Sequence, residues 1–136
     1  MISEYIYLAT PFVAWLVAGV LKFLLNSLKY KRFAFELIGY GGLPSNHSAI
    51  VSSIAALIYL KEGFSHPSFG VAMALVFIVV LDASSLRRNI GQHAEELNKL
   101  KLSGPPLRER MGHTKVEIIA GLLVGCVVAY VLTALF

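Results

Sequence analysis

The chain has 136 residues, 57% of them hydrophobic and 15% charged, with a net charge of +4 and a mean hydropathy of +0.70. Soluble domains carry nearer ~25% charge, and so small a globule cannot hide this much apolar surface in one core; disorder is excluded and an ordinary soluble domain is disfavoured. The modest positive charge argues against a nucleic-acid surface, and the single cysteine, Cys126, excludes an internal disulfide and a cysteine-rich zinc site.

A bilayer core of ~30 Å takes about 20 apolar residues per helical span, and the apolar residues fall into four blocks. The first runs from about Tyr5 to Leu25, broken by Thr10-Pro11 and by Lys22 near its end. It reads as a span; a cleaved signal peptide is not expected, because Met1 to Tyr5 has no basic segment and carries Glu4, and no small-x-small site follows. The second block, about Pro44 to Leu60, is short and opens with a polar cluster. The third, about Pro67 to Leu86, contains Asp82, and the fourth, about His113 to Phe136, has Gly121 and Gly125 at the spacing of a close helix contact.

Between the third and fourth blocks, apolar residues at Leu86, Ile90, Leu97 and Leu100 recur near helical spacing with charge opposite. This predicts a cytoplasmic continuation of the third helix or an interfacial helix, ended by Gly104-Pro105-Pro106. The expected architecture is therefore all-α: one membrane-embedded domain over residues 1–136, with about four transmembrane helices and that extra helix before the last span. Basic residues cluster in Lys22 to Arg32 and Arg87 to Arg110, with Lys115 at the start of the last span. Because basic loops stay on the cytoplasmic side, both loops are expected there and both termini outside.

The polar features gather at the cytoplasmic ends of these spans. In Gly41-Gly42-Leu43-Pro44-Ser45-Asn46-His47-Ser48, proline fits a first helical turn and Ser45 or Asn46 can cap it. The free N–H groups would face His47, a setting suited to phosphate; the plainer reading is a helix cap with a solvated histidine. His113 and Glu117 are four residues apart, so the carboxylate can bond one ring nitrogen and leave the other free to attack; the plainer reading is an interfacial ion pair. Asp82 needs a partner inside a span, with Arg87, Arg88 or a histidine as candidates. Arg87 and Arg88 can bind phosphate through their guanidinium groups or serve topology and lipid headgroups. His66 and His93 read as surface residues. With no His-Glu-x-x-His and no acidic cluster, neither metal nor cofactor is expected.

The segments GGLPSNHSA (Gly41 to Ala49), LDASSLRRNIGQHAEELN (Leu81 to Asn98) and MGHTKVEIIAG (Met111 to Gly121) carry a resemblance. The chain resembles the divergent bacterial and plastid branch of the type 2 phosphatidic acid phosphatase superfamily, which also includes vanadium haloperoxidases. The superfamily's P-S-G-H motif is matched by Pro44, Ser45 and His47, with Asn46 for glycine; its S-R-x5-H-x3-D motif is matched by His113, with Glu117 for aspartate. The resemblance implies that His113 forms a phosphohistidine, that Glu117 orients it and that His47 protonates the leaving oxygen. Leu107 stands where that motif has its arginine, with Arg108 and Arg110 out of register. Arg87 and His93 have the right spacing, but Leu97 takes the acidic position. The K-x6-R-P motif is missing, although Lys22, Lys29, Lys31 and Arg32 supply basic residues.

The leading expectation is a membrane phosphatase acting on a lipid phosphate monoester, such as phosphatidylglycerol phosphate or phosphatidic acid, at the cytoplasmic face. His113, His47 and Glu117 are its catalytic residues; Ser45, Asn46, Arg87, Arg88 and Lys22 bind phosphate, and Asp82 supports them. The alternative is a non-catalytic membrane protein that binds or transports phosphorylated lipids; a small assembly subunit is a third reading. The expected location is a bacterial inner membrane, the expected partner a membrane lipid, and a homodimer is compatible with a span count below the six usual among membrane relatives.

Overall fold

The computed structural model describes residues 5–31, 42–100 and 104–136; Arg32, Gly41 and Lys101 lie outside them. Every regular element among the described residues is helical: α1 (Ile6–Tyr30), α2 (Asn46–Glu62), α3 (Pro67–Leu81), α4 (Arg87–Lys99) and α5 (Lys115–Leu135). A π-helical turn, Asp82–Leu86, joins α3 to α4 without a break, so Pro67–Lys99 is one helix of 33 residues. The segment after the third apolar block is thus a direct continuation of the third helix.

Among the described residues, three helical stretches are long and apolar enough to cross a membrane: Ile6–Lys29, Pro67–Lys99 and Lys115–Leu135. Leu8, Phe12, Val71, Phe77, Ile119 and Val127 on them are exposed. Water would penalise such surfaces and lipid does not. The chain is a membrane protein.

The second apolar block departs from expectation. α2 has 17 residues, about 25 Å at ~1.5 Å per residue, which is less than the ~30 Å hydrocarbon core. It is the innermost helix, packed against α5, α1 and α3, with Ser48, Ala49, Val51, Ser52, Ser53, Ala55, Leu57 and Ile58 all buried. Its serines keep it less apolar than its neighbours, and protein rather than lipid surrounds them. The Ser53 hydroxyl bonds the Ile50 carbonyl at 2.8 Å, and the Ser52 hydroxyl bonds the Leu122 carbonyl of α5 at 3.1 Å.

Those small side chains admit α5 at very short range. A Cβ on Gly125 would lie 2.0 Å from Ser52 Oγ and 2.3 Å from the Ala49 carbonyl; one on Gly121 would lie 2.4 Å from the Ser45 carbonyl. The glycine pair is therefore used inside the chain, to seat α5 on α2. Away from this seam, Leu57, Ile6 and Ala129 form one apolar cluster and Ala55, Ile58 and Ala72 another.

Candidate functional site

The sequence-predicted residues converge where the first turns of α2 and α5 meet the π turn. At α2, Ser45 is fully buried, and its Oγ accepts the Ser48 N–H at 3.3 Å and the Ser48 hydroxyl at 3.0 Å. Its own N–H donates to the Glu117 carbonyl at 2.9 Å, tying the two helix starts together. Ser45 thus builds the cap that was one of its two readings. Asn46 packs toward α1, its amide nitrogen 3.7 Å from where a Gly19 Cβ would sit. Its Oδ1 is buried and has no hydrogen-bond partner among the described residues. His47 follows, exposed at the helix start.

At α5, Thr114 is the N-cap. Its Oγ1 accepts the Glu117 N–H at 3.3 Å, and Glu117 Oε2 accepts the Thr114 N–H at 2.9 Å, a reciprocal capping box. The same Oε2 is 3.2 Å from His113 Nδ1. With Nδ1 as the donor in this contact, Nε2 keeps its lone pair. The contact forms although His113 precedes the helix. The His113 and Glu117 side chains are only 8% and 14% exposed. Burial pushes the His113 imidazole below its usual range, the Glu117 hydrogen bond works against that shift, and the Lys22 and Arg87 cations reinforce it. Neutral imidazole, the nucleophilic form, is favoured.

The His47 and His113 rings face each other with centroids 6.5 Å apart, inclined at 58°. Lys22 of α1 and Arg87 act electrostatically on both rings, and Asp82 acts on His47. Arg87 pairs through Nε with the Asp82 carboxylate, the partnership expected of an acid inside a span. That contact occupies one of the guanidinium's donor positions and leaves its two Nη groups as the others. Arg88 is exposed on α4, as is His93.

Two further connections hold this arrangement and were not singled out from sequence. The His113 N–H donates to the Ala83 carbonyl at 3.1 Å. Asn98 brackets Leu107, its Oδ1 accepting the Leu107 N–H and its Nδ2 donating to the Leu107 carbonyl, both at 2.8 Å. Leu107, at the position of the missing motif arginine, is thereby fastened to α4 and exposed. The cations near His113 come instead from other helices, Lys22 from α1 and Arg87 from α4. Among the described residues no three His, Cys, Asp or Glu side chains are grouped to hold a metal ion.

Two imidazoles, one bonded to Glu117, stand beside a lysine and an arginine paired with Asp82, a set whose charge and donors suit an anion. Residues 4–128 match the divergent PAP2 family. The chain belongs to the divergent PAP2 family. Its three resembling segments all lie within that range. The chain is also 27% identical to YuiD, an uncharacterized membrane protein of Bacillus subtilis (strain 168), over 95% of this chain and 94% of that one. No solved structure matches. In this member of the divergent PAP2 family, the catalytic pair implied by the resemblance, His47 and His113, shares one site with Glu117, Lys22, Arg87 and Asp82.

Proposed function

We propose that this protein is a membrane phosphatase that hydrolyses a lipid phosphate monoester through a phosphohistidine on His113. The observation that carries the reading is the pair of rings with centroids 6.5 Å apart, one of them bonded at Nδ1 to Glu117. A phosphoryl group between them meets a nucleophile on one side and a proton donor on the other. His113 Nε2 attacks phosphorus and the bond to the alkoxide leaving group breaks, while His47, entering the step as imidazolium, delivers its proton to that oxygen and becomes neutral. Water, deprotonated by His47, then hydrolyses the phosphohistidine and releases inorganic phosphate. Arg87 and Lys22 neutralise charge on the equatorial oxygens; Ser45 and Asn46 form the helix start beneath them, and Arg88 offers a second guanidinium at the rim.

The basic residues around the site support a location at the cytoplasmic face of a bacterial inner membrane, within reach of phosphatidic acid or phosphatidylglycerol phosphate. The missing K-x6-R-P motif and Leu107 favour the second reading, a protein that binds or moves phosphorylated lipids without cleaving them. Purified protein in detergent, assayed for phosphate release from both lipids beside His113→Ala and His47→Ala, tests the proposal. Release by wild type and its loss in both variants is the expected result, with vanadate inhibition and a trapped phosphohistidine. Binding without release transfers support to the second reading.

A further inference from the structure

The helix Pro67–Lys99 changes its hydrogen-bond register once. An α-helical N–H bonds the carbonyl four residues back, but the Arg87 N–H donates to Asp82, five back. The Ala83 carbonyl thus loses the donor that Arg87 would have supplied, and it accepts the His113 N–H at 3.1 Å instead. Ser84 secures the turn, its hydroxyl bonding the Val80 carbonyl at 2.7 Å.

The loop before α5 is fitted to this turn. Gly112 has φ +78°, and a Cβ there would meet the Ala83 oxygen at 2.9 Å and the Arg88 nitrogen at 3.1 Å. One turn further along, a Cβ on Gly91 would lie 2.2 Å from the Glu109 carbonyl. Backbone therefore lies directly on backbone from Glu109 to His113. Isolated π turns of this kind represent a one-residue insertion in a helix and recur at functional sites.

We infer that the π turn positions the reacting histidine: by releasing the Ala83 carbonyl from the helix ladder, it fixes the His113 backbone and so sets where the imidazole meets both Glu117 and the phosphoryl group. The inference rests on the reading of His113 as the nucleophile. Ala83 is a positioning residue acting through its carbonyl, so the length of the turn is what matters.

Deleting Ser85 tests this directly. With one residue fewer, the Arg87 N–H reaches Asp82 as an ordinary four-back bond, and the Arg88 N–H comes into register with Ala83. The Asp82 and Arg87 side chains then stand one α-helical turn apart and can still pair, but the Ala83 carbonyl is taken. With phosphatidic acid as substrate, kcat is expected to fall about a hundredfold, as for a nucleophile displaced by ~1 Å, while KM stays within roughly threefold because Arg87 is retained. The His113 amide should exchange with deuterium faster in the variant, while the amides within α5 keep their protection. Ser85→Ala, which preserves the length, should match wild type in both measurements. Wild-type kcat, or unchanged His113 exchange, in the deletion variant overturns the inference. If the deletion does not fold, Gly112→Ala serves, with the same loss of kcat and protection expected and wild-type values overturning the inference. If the wild-type protein releases no phosphate, the phosphatase reading fails, while the exchange comparison still decides whether the turn fixes His113.

Discussion

One oxygen of Glu117 serves both the first turn of α5 and the ring of His113. Oε2 accepts the Thr114 N–H at 2.9 Å and lies 3.2 Å from His113 Nδ1. The two duties separate on mutation. Glutamine can still accept from the Thr114 N–H, so Glu117→Gln should keep the helix start, with a stability change below ~1 kcal/mol. The amide oxygen can still accept from Nδ1, but being neutral it does not stabilise developing positive charge on the ring. Phosphate release is expected to drop by about two orders of magnitude, within the range for a disrupted acid-base group. A wild-type rate in this variant removes Glu117 from the chemistry and leaves it a cap.

The protonation of His113 gives a pH dependence with a definite sign. Burial lowers its pKa from 6.5 in spite of Glu117, so between the lowered value and 6.5 the unfolded chain binds a proton that the folded chain does not. The associated stability is fully present above pH 6.5 and is lost as pH falls through that window. The melting temperature in detergent should therefore decline from pH 7.5 to pH 5, and decline less in His113→Ala. In wild type the rate of phosphate release should fall on the acid side only below pH 6.5, where the His113 imidazole protonates, and fall on the alkaline side as His47, which burial and the Arg87 cation also push below the usual range, loses the proton it delivers. An acid limb centred above pH 6.5 contradicts the assignment.

Packing at the α2–α5 seam predicts opposite effects for two glycines. A methyl group at Gly125 would overlap Ser52 Oγ and the Ala49 carbonyl, whereas one at Gly70 on α3 meets nothing within 4 Å. Gly125→Ala should destabilise by about 1–3 kcal/mol, the usual penalty for overfilling a close-packed seam. Gly70→Ala should be neutral or stabilise by about 0.5–1 kcal/mol through helix propensity. Thermal unfolding of the two variants in one detergent checks the pair. Equal tolerance at both positions would mean that α5 does not sit on α2 as described.

Much of this was legible because hydropathy and short-range spacing act locally. Each apolar block becomes a helix, and Pro67 begins one because its missing N–H is no loss at a first turn. His113 and Glu117 meet because four residues bring side chains together even across a helix cap. The π turn has no such local signature, since its fifth-residue bond is matched by a donor from His113, some thirty residues away. The phase of the helix after that turn brings Arg87 to the site while Arg88 is exposed on α4, a distinction that adjacent arginines in a sequence do not carry. α2 looked like a weak span because its serines dilute the hydropathy, and their reason is the approach of Gly121 and Gly125 from α5.

The two arginines supply the sharpest separation. Arg87 is held by Asp82 within electrostatic reach of both histidines, while Arg88 is exposed. Truncating Arg87 removes charge-assisted hydrogen bonds to phosphate, each worth about 1.5–3 kcal/mol, so KM for phosphatidic acid should rise ~10–100-fold in Arg87→Ala. Lysine keeps the charge but lacks the planar fork that can pair with Asp82 and phosphate together, so Arg87→Lys should recover only part of the loss. Asp82 is left without its partner in Arg87→Ala, so this variant should also melt lower, and Asp82→Asn in the same background should restore some of that stability. Arg88→Ala should shift KM by less than about threefold, as for a cation in high dielectric at the rim. Measured side by side under one ionic strength, equal KM values for the Arg87 and Arg88 variants would remove Arg87 from the phosphate site.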